Sequence, residues 1–153
     1  IDDLVTLENG RGERLRVYAT PARHGPAGGD RGPVIGFLLR WVDDTGHGLY
    51  LTGDSVWYED LETIRALGPV RAVIAFAGAA KVKVAGDQPL TLTADGTVEL
   101  ARLFAPAPIV PVHYEGWEHF TESRADLEHA FRAAGLSEQL RWLPPGRPVT
   151  LAP

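Results

Sequence analysis

Short apolar runs, each stopped by glycine, proline or a polar residue, alternate with amphipathic stretches, and this alternation confines the chain to an α/β architecture. Leu15, Val17 and Ala19 alternate with Arg16, Tyr18 and Thr20, the period of a half-buried strand. Residues 34–42 form a continuous apolar run that reads as a buried strand. Asp43-Asp44-Thr45-Gly46 reads as a hairpin turn, with 49–52 as the returning partner. Leu61, Ile64 and Leu67 are spaced i, i+3 and i+6 and predict a short amphipathic helix over Glu59–Leu67, closed by Gly68-Pro69. Val70–Phe76 is a further buried strand. Thr93 caps a helix expected to run through Phe104, and Ile109–Val112 is a short strand ended by His113. Ser123 and Asp126 open a last helix, with Leu127, Phe131 and Ala134 as its inner stripe. Residues 1–9 predict an edge strand, 21–33 a long loop and 81–92 an irregular stretch. Residues 140–143 and 149–151, flanking Pro144-Pro145-Gly146, predict a terminal hairpin.

With 153 residues, 44% hydrophobic and 23% charged, the chain is long enough for one domain with a real core. Its net charge of −5 and lack of a basic run argue against nucleic acid as a partner. No apolar stretch is long enough to predict a transmembrane segment. Without cysteine, the chain has no thiolate ligand, disulfide or cysteine nucleophile, which is compatible with a cytoplasmic location. A chain without methionine that opens on Ile1 is expected to be a piece of a longer polypeptide.

Three polar residues each follow an apolar strand: His24 after 15–20, Asp54 after 49–52 and His113 after Ile109–Val112. In open α/β sheets this is where ligands and catalytic groups gather. Imidazole and carboxylate are also what a borderline ion such as Zn²⁺ accepts in the absence of thiolate. Each residue has a plainer reading: a histidine in a Gly/Pro loop at the surface, an aspartate in a turn, and a histidine satisfied in the core. The separations of 30 and 59 residues match no local ligand motif.

Taken in order, Ala19-Thr20-Pro21-Ala22-Arg23-His24-Gly25-Pro26, Leu49-Tyr50-Leu51-Thr52-Gly53-Asp54 and Val110-Pro111-Val112-His113 resemble the second half of a metallo-β-lactamase-fold hydrolase. The similarity runs from about Leu15 to Pro153. It is nearest to the branch containing ascorbate-6-phosphate lactonase and N-acyl-phosphatidylethanolamine phospholipase D. The family's principal ligand motif, His-x-His-x-Asp-His, lies in its N-terminal half and is absent from this sequence. The resemblance therefore implies that 1–153 is the C-terminal half of a four-layer αβ/βα sandwich, a mixed sheet with helices on its outer face. The N-terminal, ligand-bearing half of the parent polypeptide would be its partner.

The resemblance also implies two divalent metal ions in the complete site, zinc foremost, with manganese or iron as alternatives. His24 would serve one ion, His113 the other, and Asp54 would bridge them. Paired ions lower the pKa of a shared water, and the hydroxide so formed would open a lactone or cleave an ester or phosphodiester. The expected function is thus a metal-dependent hydrolase of small molecules, anionic ones among the candidates, inactive as this piece alone. The alternatives are a non-catalytic scaffold of the same fold and an unrelated α/β binding module. An oligomer is among the expected states.

His119, in Trp117-Glu118-His119-Phe120, is a second catalytic candidate, as proton donor to the leaving group. Its plainer reading is a loop histidine packed on Trp117 or Phe120. Arg23, beside His24, either meets an anionic substrate or stands in solvent. Lys81 and Lys83 read as solvent-facing. His47, in the hairpin turn, and His129, on an outer helix face, receive no role. Trp41, Trp57 and Trp142 read as core or half-buried packing.

Overall fold

The computed structural model describes residues 4–28, 31–42 and 48–151. Six strands form one mixed sheet in sequence order: β1 (Leu4–Glu8), β2 (Arg14–Pro21), β3 (Ile35–Trp41), β4 (Gly48–Leu51), β5 (Val70–Phe76) and β6 (Ile109–Val112). The pairs β1–β2, β2–β3 and β3–β4 are antiparallel. β5 joins β4 and β6 joins β5 in parallel, as the intervening helical connections require. The hairpin turn predicted at 43–46 and His47 lie outside the described residues.

Directly opposed residues share a sheet face. Tyr18, Leu38, Tyr50, Val73 and Ile109 form one such row across five strands, and the last four are completely buried. All the longer helical segments pack on this face. The 3₁₀ helix Glu59–Leu67 contributes Leu61 and Ile64, and α1 (Ala94–Leu103) contributes Val98, Leu100 and Ala101. α2 (Arg124–Ala133) contributes Phe131, and its Leu127 forms a second small cluster with Ala77 and Ala94. Thr93 caps α1, accepting the Gly96 N–H at 3.0 Å. Ser123 donates both its N–H and its hydroxyl to Asp126 Oδ2 at 2.7 Å, and these bonds hold the Asp126 carboxyl below its ordinary range.

Among the described residues, no helix packs on the opposite face. Val5, Leu7, Ile35, Phe37, Trp41 and Leu49 lie on it, and each is at least 36% exposed. The structure thus corrects the reading of 34–42 as a wholly buried strand. β3 buries Gly36 and Leu38 under the helices, whereas Ile35, Phe37 and Trp41 face outward. Trp41, expected in or near the core, is 51% exposed for the same reason.

Two further expectations are corrected. Glu59–Leu67 is a 3₁₀ helix, not an α-helix. The three-residue spacing of Leu61, Ile64 and Leu67 suits three residues per turn and keeps all three over the core. The terminal hairpin is absent among the described residues. Leu140 makes a single parallel bridge to Ile109, and Arg141 donates its N–H to the Ile109 carbonyl at 2.8 Å. Beyond it, Pro144, Pro145 and Pro148 lack the N–H groups that a ladder needs. No described helix is long and apolar enough to cross a membrane.

Candidate metal centre

The alternation of strand directions decides where the site forms. β2 and β4 both run antiparallel to β3, and β5 and β6 run parallel to β4, so these four strands end at one edge of the sheet. His24 lies beyond β2, Asp54 beyond β4, Gly78 beyond β5 and His113 beyond β6. Residues distant in sequence therefore meet. His24 Nε2 lies 3.8 Å from Asp54 Oδ2, and His113 Nδ1 lies 3.8 Å from Asp54 Oδ1. The carboxylate stands between two imidazoles and turns a different oxygen to each.

These separations exceed hydrogen-bond length. Two donors at about 2.1 Å from one ion stand about 3.4 Å apart at a tetrahedral angle and somewhat over 4 Å when opposed, which brackets the observed spacing. His113 Nδ1 is buried and has no hydrogen-bond partner, an orphaned lone pair or proton aimed at Asp54. The donor chemistry therefore suits a divalent ion. The set is incomplete, however: among the described residues, no three His, Asp or Glu side chains form a group able to hold an ion alone.

The backbone around these residues is tied down. The Arg23 N–H donates to Ser55 Oγ at 3.0 Å, and the Val56 N–H donates to the Arg23 carbonyl at 2.8 Å. Ser55 Oγ in turn donates to the Val56 carbonyl at 2.9 Å. Ser55 is fully buried, so its hydroxyl locks the His24 loop to the Asp54 loop. Thr52 Oγ1 accepts the Phe76 N–H at 3.0 Å and fixes the end of β4 against β5. Ser55→Ala should leave the Arg23 N–H buried and unpaired, at a cost of about 1–3 kcal/mol. Loss of this outer support should weaken metal affinity about 10- to 100-fold. Chemical denaturation and metal titration of the full-length protein check the two effects; an unchanged affinity would remove Ser55 from the site's support.

His113 has φ 58°, in the left-handed region that a non-glycine residue rarely occupies. The neighbouring turn holds it there. The Ala77 N–H donates to the Val112 carbonyl at 2.9 Å, and the Gly78 carbonyl accepts the N–H groups of Thr121 and Glu122. The Lys81 N–H donates to the His119 carbonyl at 2.8 Å, and Thr121 Oγ1 donates to the Ala79 carbonyl at 2.7 Å. Strain maintained by so many bonds is characteristic of functional positions.

His119 lies at the margin of this cluster. Its ring centroid is 6.5 Å from that of His113, 4.6 Å from Phe120 and 6.0 Å from Trp117. Arg23 is neither in free solvent nor turned to the carboxylate; its guanidinium stacks 4.4 Å from the centroid of the Tyr58 ring. Burial raises the Tyr58 pKa, as does Asp60, against the opposing pull of Arg23. Lys81, Lys83 and His129 are exposed, as expected. Trp57 packs on the core, and Trp142 is half-buried against Tyr114. A cavity of about 540 Å³ at the other end of β5 and β6, lined in part by Arg65, Arg71 and Pro106, contains none of the candidate ligands.

Residues 2–114 match the family model described as the beta-lactamase superfamily domain. The chain belongs to this superfamily, that of metallo-β-lactamase-fold metal-dependent hydrolases. A UPF0173 metal-dependent hydrolase of Thermoplasma acidophilum is 30% identical over 80% of this chain and 49% of its own length. A second, from Pelotomaculum thermopropionicum, is 25% identical over 90% of this chain and 58% of its own. The chain thus spans about half the length of these curated relatives. Among solved structures, the isothiocyanate hydrolase from Delia radicum gut bacteria superposes with a TM-score of 0.78 at 20% identity. That match covers 95% of this chain and 57% of the other, and it shows the shared fold. Gly78 and Ser55 were not singled out by sequence reasoning. Their only signals were a glycine directly after a strand and a serine after Thr-Gly-Asp.

Proposed function

We propose that this member of the superfamily supplies part of a two-metal hydrolytic site, with zinc foremost, that cleaves a lactone, ester or phosphodiester bond. The observation that carries the reading is the placing of Asp54, with one carboxylate oxygen toward His24 and the other toward His113. Bound divalent ions supply a nucleophilic hydroxide near neutral pH and polarise the scissile group. His24 and His113 would each help hold one ion, and Asp54 would be shared between them. His119, whose ring centroid is 6.5 Å from that of His113, would give a proton to the leaving group.

Each ion would receive only two donors from this chain, whereas catalytic zinc sites normally have three protein ligands. We assign the remaining donors to a preceding half of the parent polypeptide, packed on the helix-free sheet face. Two observations support this: the exposed apolar row on that face, and the fraction of the relatives' length that the chain spans. Metal analysis of the purified full-length protein is expected to find about two divalent ions per chain. A protein free of metal and unable to take it up would favour the scaffold reading and overturn the hydrolytic one.

A further inference from the structure

We propose that Trp117, continued inward by His119 and Phe120, is the wall that receives a flat, uncharged apolar group of the substrate. This proposal rests on the hydrolytic reading for the position of the reacting bond, and it adds the chemistry of the group attached to that bond.

Trp117 is 70% exposed, unusual for the largest apolar side chain. Isolated exposure of that kind is ordinary, but Trp117 is not isolated. Its ring stands 6.0 Å from His119, His119 stands 4.6 Å from Phe120, and Phe120 meets the His113 ring edge-on at 4.6 Å. Phe76 adds a ring 5.6 Å from His113. An unbroken series of ring contacts thus runs from a candidate ligand out to solvent. A substrate whose reacting bond lies at Asp54 would lay its body along these rings.

The loop is also held for this purpose. The Phe120 N–H donates to the Trp117 carbonyl at 3.3 Å, and the Lys81 N–H binds the His119 carbonyl. Gly116, with φ 91°, turns the chain before Trp117. The charged residues of the loop itself are carboxylates, Glu115 and Glu118, both exposed, and Lys81, exposed and joined through its N–H to the His119 carbonyl, is the cation of the neighbouring segment, which leaves the carboxylates in excess by one. Arg23, a cation near the cluster, is stacked on Tyr58. An anionic body would be repelled by the carboxylates, whereas an aromatic or cyclic aliphatic one gains the stacking.

The test uses the full-length protein, with ligand-observed nuclear magnetic resonance giving the affinity of each probe for every variant and the Trp117 indole N–H reporting the place of binding wherever Trp117 is present. The probes are phenylacetate, whose carboxylate can reach the metal, and benzyl alcohol, which needs no metal. Both are expected to shift the Trp117 indole signal. Trp117→Ala should weaken both about fivefold, the scale of one aromatic stacking contact, and Trp117→Phe should restore most of the loss. Asp54→Ala should weaken phenylacetate and leave benzyl alcohol unchanged. If neither probe moves the indole signal, or if Trp117→Ala binds both as tightly as the native protein, the wall is wrong whatever the metal does. If Trp117→Ala weakens both but Asp54→Ala changes neither, the wall stands and the metal reading falls.

Discussion

Asp54→Ala in the full-length protein is expected to abolish hydrolysis, by about a thousandfold or more, while leaving the fold in place. The carboxylate faces both imidazoles at 3.8 Å, so under the proposed two-metal reading its removal would take the shared donor from both ion positions at once. Charge stabilisation and water activation by bound metal contribute several kcal/mol to such reactions, and each 1.36 kcal/mol is tenfold in rate. The structural cost should be small. The Asp54 side chain is 37% exposed, and the turn is held by Thr52, Gly53 and Ser55 rather than by the carboxylate. Metal content and thermal unfolding separate the two effects. Loss of ions with the melting temperature of the metal-stripped native protein is the expected pair. Activity near the native level would remove Asp54 from the bridging role.

The positions of the three candidate ligands were legible because strand ends are local signals. Glycine or proline after an apolar run marks the end of the strand, and the next polar residue falls at the sheet edge. That these ends share one edge follows from topology: an antiparallel β2–β3–β4 meander feeding two parallel crossovers. The faces were harder to read. The apolar run at 34–42 carries enough hydrophobic side chains for two buried faces, so its pattern could not show that Ile35, Phe37 and Trp41 lie on a helix-free side. The stretch after Leu140 was misread because alternating apolar residues suggest a strand even where prolines remove its donors. Arg23 next to His24 read either as a substrate contact or as a solvent-facing cation, yet its stacking partner is Tyr58, far along the chain and invisible to any local pattern.

Gly78 illustrates the same limit and yields the second large effect. In sequence it is a glycine after β5 and nothing more. In space its φ is 91°, and a Cβ there would lie 2.7 Å from both the His113 carbonyl oxygen and Tyr114 Cα. These are backbone atoms, so no side-chain rotation relieves the contact. Gly78→Ala therefore adds left-handed strain of about 1–2 kcal/mol to an overpacking cost of about 1–3 kcal/mol. A destabilisation of about 2–5 kcal/mol should lower the melting temperature of a domain this size by roughly 5–15 °C. Relief can come only by pushing the His113 backbone away, which would also move its ring from Asp54 and weaken metal binding. Gly86→Ala is the matched control, with φ 80° and nothing within 4 Å of its added Cβ, so it should show the strain alone. Thermal unfolding and metal titration of the two full-length variants decide the matter. Equal losses in both would mean that the close approach of Gly78 to His113 does not hold the site together.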